Sequence, residues 1–353
     1  MILEVIMKLF YNPLPVMKNK LLKKLAYASL GLLLAVVLST YFVGSYFINF
    51  ALVPSSGGGE RDASVAQAQK NGEGYEALSQ DLQVQIALAR KADTEAYEQW
   101  LKGIEASVET VSVVSKDGYK LAGHCFIHSN EENRWVIVVH GYQSSEESSK
   151  KIARHYYNRG FNALTISLRA HGNSEGQYIG MGYLDKDDLF LWTEYLVKRN
   201  PNAKIVYHGT SMGSATVLFA SSLSLPSNVR SIVADCGYTD VWSIFESELK
   251  NRFGLPAFPI LYMADIMGRI KAGYSIKNAS VIDAVRHSHV PTLFIHTTSD
   301  DFVPVSMVHE LYNSHSGDKQ LYIVRGANHT EAKYVNMEAY YGTIMDFLRN
   351  YMH

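Results

Sequence analysis

Cysteine is almost missing from this sequence. There are two in 353 residues, Cys125 and Cys236, too few for a disulfide framework. An excess of charge is missing as well. The formal net charge is -1, which gives no reason to expect a nucleic-acid partner. No internal repeat runs through the chain, and scattered glycines such as Gly118 and Gly123 form no phosphate-binding loop. His287, His289 and His296 lack the cysteine or carboxylate spacing of a zinc site, so neither metal nor cofactor is expected. With 47% hydrophobic and 19% charged residues, disorder is excluded for most of the length, and the chain can build a sizeable core.

The near-neutral total hides an uneven distribution. Residues 1–59 carry five lysines (Lys8, Lys18, Lys20, Lys23, Lys24) and one acid, Glu4. The rest is mildly acidic. No charged residue falls between Leu25 and Gly59. The apolar run Leu25–Val53 exceeds the roughly 20 residues that span a bilayer. It is about twice the apolar region of a secretory signal and ends without a clean small-x-small cleavage site. An uncleaved anchor is expected, since a core helix of this length would be unusual. Lysines before the run place the N-terminus in the cytoplasm and the body outside. Tyr41, Phe42, Tyr46, Phe47 and Phe50 fall where an outer aromatic belt would lie. Met17 opens a more typical anchor than Met1, which suggests that residues 1–16 are a start-site artefact.

Pro54–Gly59 reads as a flexible linker. Residues 75–106 carry Leu78, Leu82, Ile86, Leu88, Tyr97, Leu101 and Ile104 at helical intervals, which predicts one or two helices packed on the body or forming a stalk. From Val108 the pattern changes. Val111–Ser115 and Leu121–Ile127 flank Asp117-Gly118, a hairpin signal. Strands are expected at Trp135–Val139, Phe161–Ser167, Lys204–His208, Ser231–Ala234, Thr292–His296 and Gln320–Val324. Helices are expected at Glu146–Arg159, Asp185–Arg199, Ser214–Leu223, Val305–Ser314 and Glu331–Tyr351. Alternation of this kind predicts an α/β fold, with a mostly parallel sheet covered on both faces. Between Asp240 and Asp283 no strand is visible, and the amphipathic pieces Trp242–Phe253 and Ile260–Ile270 predict a helical cap over the C-terminal strand ends, where ligands bind in such sheets. The expected division is 1–24 cytoplasmic, 25–53 transmembrane, 54–107 linker and helical juncture, and 108–353 catalytic domain with its cap at about 241–283.

Gly209-Thr210-Ser211-Met212-Gly213 lies between a strand and a helix. This is G-x-S-x-G in the setting of a nucleophile elbow. A serine on such a turn is pushed out at the sheet edge, and glycines leave room on either side. Serine needs a base, and the base an orienting acid; in this arrangement the chain order is Ser, acid, His. Strand Gln320–Val324 leads into Arg325-Gly326-Ala327-Asn328-His329, which makes His329 the base. Strand Thr292–His296 leads into Thr297-Thr298-Ser299-Asp300-Asp301, so Asp300 or Asp301 is the acid, with Asp235 as a residual candidate. One oxyanion donor is the backbone N–H of Met212, the residue after the nucleophile. The other belongs to His140-Gly141-Tyr142, in which His140 is expected to be a structural turn residue. His171 is expected to fix its own loop, and the cysteines to be buried thiols.

Taken together, the elbow, the His-Gly turn, D-x-x-V-P at Asp300–Pro304 and G-A-x-H at Gly326–His329 resemble the α/β-hydrolase superfamily. Within it the chain is similar to bacterial membrane-anchored serine hydrolases described as dipeptidyl aminopeptidase/acylaminoacyl peptidase-related. The resemblance covers about Val108 to His353. It implies the α/β-hydrolase fold, Asp300 as the acid and the Tyr142 N–H as the second donor. Arg169-Ala170-His171-Gly172-Asn173-Ser174 resembles a loop of this family, but Ser167 stands where the family has Asp, which leaves Arg169 without its usual partner.

The expected function is hydrolysis of a small-molecule acyl substrate, first a carboxylic ester, by a protein whose other partner is the lipid bilayer. Trp242, Ile244, Phe245, Phe258, Leu261 and Met263 offer apolar side chains for an acyl pocket. A peptidase of the acylaminoacyl-peptidase type and a non-catalytic envelope binding module are the alternatives. Dehalogenase and epoxide-hydrolase chemistry need Asp at the elbow, which Ser211 excludes.

Overall fold

The computed structural model describes residues 20–54, 77–129 and 133–352. The linker expected at Pro54–Gly59 lies, beyond Pro54, outside the described residues.

Strand β3 (Arg134–Val139) carries Trp135, Val136, Ile137, Val138 and Val139, all buried. A strand that is apolar on both faces sits inside a sheet covered on both sides. β3 accordingly pairs in parallel with β4 (Asn162–Ile166) and with β5 (Lys204–Thr210). Next come β6 (Val229–Asp235), β7 (Thr292–Thr297) and β8 (Lys319–Val324), all parallel. At the other edge β1 (Val108–Val114) and β2 (Lys120–Phe126) form the antiparallel hairpin predicted at Asp117-Gly118. The 8-stranded order is β1-β2-β4-β3-β5-β6-β7-β8, that of the α/β-hydrolase fold.

Helices cover both faces. On one, α3 (Glu146–Tyr157) and α11 (Met337–Arg349) pack Ile152, Tyr156, Tyr340, Ile344 and Phe347 under the sheet. On the other, α4 (Asp185–Arg199) and α5 (Met212–Ala220) enclose Leu189, Trp192, Val217 and Leu218. The single helix predicted at Glu331–Tyr351 is broken into α10 (Ala332–Val335) and α11, because the Asn336 side chain caps α11 by accepting the Ala339 N–H at 3.0 Å. α9 (Val305–Ser314) lies between β7 and β8.

The cap falls where no strand was visible. It comprises α6 (Val241–Phe253), α7 (Ile260–Lys271) and α8 (Val281–Arg286). An isolated antiparallel bridge between Asp240 and Ser280 ties its two ends together.

Two N-terminal helices are part of this body. Helix α2 (Gln80–Ile104) is one continuous helix and not a stalk. It buries Ile86 against Ala327 and Tyr334, and its Asp93 accepts from Arg154 (2.5 Å) and pairs with His155 (2.9 Å) on α3. Helix α1 (Lys20–Leu52) is long and apolar enough to cross a membrane, and its most apolar stretch is exposed. Its last turns are not. Gly44, Ile48 and Leu52 are buried, chiefly against α7. A Cβ on Gly44 would lie 2.3 Å from the Met263 carbonyl oxygen, so the helices approach at a point that only glycine permits. Leu52 closes the junction by accepting the Ile179 N–H at 2.8 Å.

Arg169, short of its usual partner at Ser167, finds others. It donates twice to Asp188 (2.7 and 2.9 Å) and once to Asp117 (2.7 Å). Burial pushes the Asp188 carboxyl up to about 6 even against that guanidinium. Arg169→Met leaves Asp188 buried without its cation, a loss of about 3–5 kcal/mol. The sign follows from linkage: a carboxyl whose folded pKa is raised loses stability as it is forced to ionise. The deficit against wild type therefore grows as pH rises above about 6, as urea unfolding at a series of pH values measures.

Candidate active site

The site begins at the end of β5. Ser211 joins β5 to α5 with φ 58° and ψ -119°, a left-handed backbone that a non-glycine residue adopts only when its surroundings enforce it. Those surroundings are backbone. A Cβ on Gly209 would lie 2.1 Å from the Gly213 oxygen, and one on Gly213 would lie 2.1 Å from the Val139 oxygen. Both glycines are needed for close approach, since neither has a positive φ. The Ser211 N–H donates to the Asp235 carbonyl at 2.8 Å, which fastens the turn to the tip of β6.

His329 and Asp300 meet this serine. Ser211 Oγ–H donates to His329 Nε2 at 2.7 Å, and His329 Nδ1–H donates to Asp300 Oδ2 at 2.7 Å. Asp300 also accepts the N–H groups of Phe302 (2.9 Å) and Val303 (2.8 Å) on Oδ1. Asp301 faces the polar cleft described below. Asp235 accepts the Tyr340 hydroxyl at 2.7 Å beneath the site.

One partner of the acid was not foreseen. His296, wholly buried at the end of β7, lies 3.3 Å from Asp300 Oδ2 and donates to the Val303 carbonyl at 2.9 Å. Burial alone would lower its pKa, but the hydrogen bond and charge of Asp300 outweigh burial and raise it. Burial also opposes charge on Asp300, yet His329 and His296 hold its carboxyl well below the usual carboxylate range. The only hint in the sequence was a histidine four residues before the acid.

The loop after β3 reaches the elbow from the other side. A Cβ on Gly141 would lie 3.2 Å from Ser211 Cβ. Two neutral histidines hold this loop. His140 accepts the Leu168 N–H at 3.1 Å, and burial foremost pushes its pKa down to about 3. His171, also lowered by burial, accepts the Gln143 N–H at 3.1 Å and donates to the Arg169 carbonyl at 2.9 Å. Gln143 itself is left-handed, at φ 46°. The Tyr142 and Met212 N–H groups thus belong to rigid backbone on either side of Ser211. Behind His329 the loop is held by α2: Asn328 N–H donates to Glu331 at 3.1 Å, and Glu331 pairs with Arg90.

Two spaces open from Ser211. One is a narrow apolar slot of about 70 Å³ lined by Ile244, Phe245, Leu249 and Leu261 of the cap, by Tyr142 and Met212, and by Phe47, Ile48 and Ala51 of α1. The other is a polar cleft of about 800 Å³ that reaches from His329 past Ser144, Ser148, Lys151 and Arg90. Three of the residues expected in an acyl pocket point elsewhere. Trp242 packs edge-on against Tyr262 at 5.0 Å, the Met263 backbone meets Gly44, and Phe258 is 74% exposed. The α1 residues take their place. The Tyr142 hydroxyl donates to the Ala51 carbonyl at 2.5 Å, fixing that helix end against the site.

Cys236, Asp300 and His329 come close enough together to share a metal ion. Their chemistry does not fit one. Both ring nitrogens of His329 are occupied by Ser211 and Asp300, and burial pushes the Cys236 thiol well above its usual range. Cys125 and Cys236 are buried free thiols.

The family described as serine aminopeptidase, S33, matches residues 130–253. The uncharacterised protein YqkD of Bacillus subtilis is 29% identical over 262 residues, which are 74% of this chain and 86% of that one. The esterase Pf2001 of Pyrococcus furiosus superposes with a TM-score of 0.59 at 23% identity, over 72% of this chain and 96% of its own. An acylaminoacyl peptidase of Pyrococcus horikoshii gives 0.53 at 15%, over 69% of this chain and 41% of its own. The two structural likenesses show a shared fold.

Gly209→Ala drives a methyl group into the Gly213 backbone, so its melting temperature falls by many degrees. Gly342→Ala, on α11 where nothing lies within 4 Å of the added Cβ, is stabilised by up to about 1 kcal/mol. Thermal unfolding of the pair separates steric need from mere loss of a glycine.

Proposed function

The chain has the α/β-hydrolase fold and matches a hydrolase family over residues 130–253, and from that premise we propose that it is a membrane-anchored serine hydrolase of carboxylic esters. The observation that carries this reading is the hydrogen-bonded line Ser211–His329–Asp300 at the mouth of an apolar slot. His329 Nε2 takes the Ser211 proton as Oγ attacks the acyl carbon. The Met212 and Tyr142 N–H groups stabilise the oxyanion. His329 then protonates the departing alkoxide and activates a water that releases the acid from Ser211. Asp300 keeps His329 in the tautomer this sequence requires and stabilises its cationic form.

The ester reading over an amine-recognising peptidase rests on what faces the slot. Its one acid, Glu248, accepts from Arg252 at 2.7 Å, so its charge is already matched and offers little to a substrate ammonium group. Residues 25–53 serve as the anchor, with residues 1–24 in the cytoplasm and the 108–353 domain outside. The lysine-rich flank supports this orientation, and a helix of spanning length supports the anchor.

A fluorophosphonate probe labels the wild type and not Ser211→Ala. Asp300→Asn lowers turnover of p-nitrophenyl esters by about 10²–10⁴. Equal labelling of Ser211→Ala would sink the catalytic assignment. A preference for aminoacyl amides over esters would replace esterase with peptidase. Protease added to intact cells digests the body; protection would reverse the topology.

A further inference from the structure

We propose that α1 is a working part of the substrate site: it delivers a long-chain acyl ester from the outer leaflet of the bilayer directly into the slot at Ser211. The inference rests on the esterase reading above and assigns its substrate class.

The first support is distance along α1. About 20 residues cross the hydrocarbon core, so a span starting at Leu25 ends near Gly44. There the contact with the cap begins, since the Gly44 backbone touches Met263 and Met267. The slot-lining residues Phe47, Ile48 and Ala51 follow at once. At a rise of 1.5 Å per residue they stand only about 5–10 Å above the edge of the hydrocarbon. The slot therefore opens in the headgroup layer, just above the ester linkages of lipids, and its wall is continuous with the spanning helix.

The second support is the cap helix beside it. Helix α7 runs parallel to α1: Met263 lies against Gly44, Gly268 against Ile48, and Lys271 against Asn49. The N-terminal end of α7 thus points back toward the bilayer. Its outer face presents Tyr262, Ile266 and Ile270, and the turn just before it presents Phe258; these four residues are 43%, 47%, 68% and 74% exposed. No charged residue occurs from Phe253 to Ala264. Such a face is costly in water and comfortable in an interface. Around the level of Gly44, α1 also exposes Tyr41, Phe42 and Tyr46, aromatics of the kind that gather at a membrane surface.

The third support is the asymmetry of the site itself. The apolar slot and the polar cleft meet at Ser211. An amphiphilic ester fits across this junction with the first carbons of its chain in the slot and the rest still in the bilayer, its carbonyl at the serine and its polar alcohol in the cleft. A small soluble ester would not need a wall contributed by α1.

The test uses the full chain reconstituted in phosphatidylcholine vesicles and two substrates with one leaving group, 4-methylumbelliferyl butyrate in solution and 4-methylumbelliferyl oleate in the bilayer. The variant used acts outside the reacting groups and the slot: Phe258→Asp with Ile266→Asp on the exposed stripe. Butyrate hydrolysis is expected to stay within twofold of wild type, while oleate hydrolysis falls at least tenfold. The variant is expected to fold, because both positions are exposed, and its melting temperature checks this. If wild type turns over butyrate but the variant lowers both substrates equally, or neither, lateral delivery is overturned and the esterase reading stands. A variant that becomes monomeric while both activities fall together would give the stripe to a second copy of the chain, and also overturns it. If wild type hydrolyses neither ester and takes no fluorophosphonate label, it is the hydrolase reading itself that fails.

Discussion

Everything at the site depends on how closely three stretches of backbone approach one another at Ser211. The turn from β5 into α5 packs Gly209 against Gly213, and Gly213 against the end of β3. No side chain fits between them. That contact holds Ser211 in a left-handed conformation and aims its hydroxyl out of the sheet. The same contact brings the loop after β3 against the serine, and with it the Tyr142 N–H. Strain at one residue persists because the surrounding sheet over-determines it. Left-handed residues recur at Gln143, Cys236 and Thr330, in the segments that follow β3, β6 and β8, so the cost of the geometry is spread over several loops.

The acid and the base are held by a denser network than three residues would provide. Asp300 receives two backbone N–H groups and two histidines in a wholly buried place. Its carboxylate stays ionised because those donors replace the water it has lost. His329 sits on a loop that is itself held from behind by Glu331 and Arg90. Helix α2 therefore belongs to the catalytic body, although it precedes the sheet in the chain. Its amphipathic spacing left open whether it packed or stood free, and the buried Ile86 and Asp93 decide for packing.

The helix proposed as the anchor also lines the slot beside Ser211. A simple tether needs only length and apolarity. α1 has both, yet its final turns contain Gly44 and Asn49, residues without use in lipid and with clear use against α7. The cap is thereby pinned to α1, and one wall of the slot cannot move independently of that helix.

Much was legible in the sequence because it is encoded locally. Apolar strands such as Trp135–Val139 announce burial on both faces, glycines around Ser211 announce a tight turn, and a long uncharged run announces a helix long and apolar enough to span a membrane. Alternation of strand and helix restricts the topology to a few forms, and the order Ser, Asp, His then falls at successive strand ends. Long-range packing was not legible. Nothing near Asp300 in the chain names the second histidine's contact, nothing near Arg169 names Asp188, and nothing in an apolar helix says which turns stay exposed and which meet protein. The slot drew on Phe47, Ile48 and Ala51 in place of Trp242, Phe258 and Met263 because helix rotation and crossing are set by the fit of opposing surfaces. Local chemistry determined the fold and the residue types at the site; which side chains share a cavity was decided only when distant segments packed, since that depends on shape and contact between residues that the linear order keeps apart.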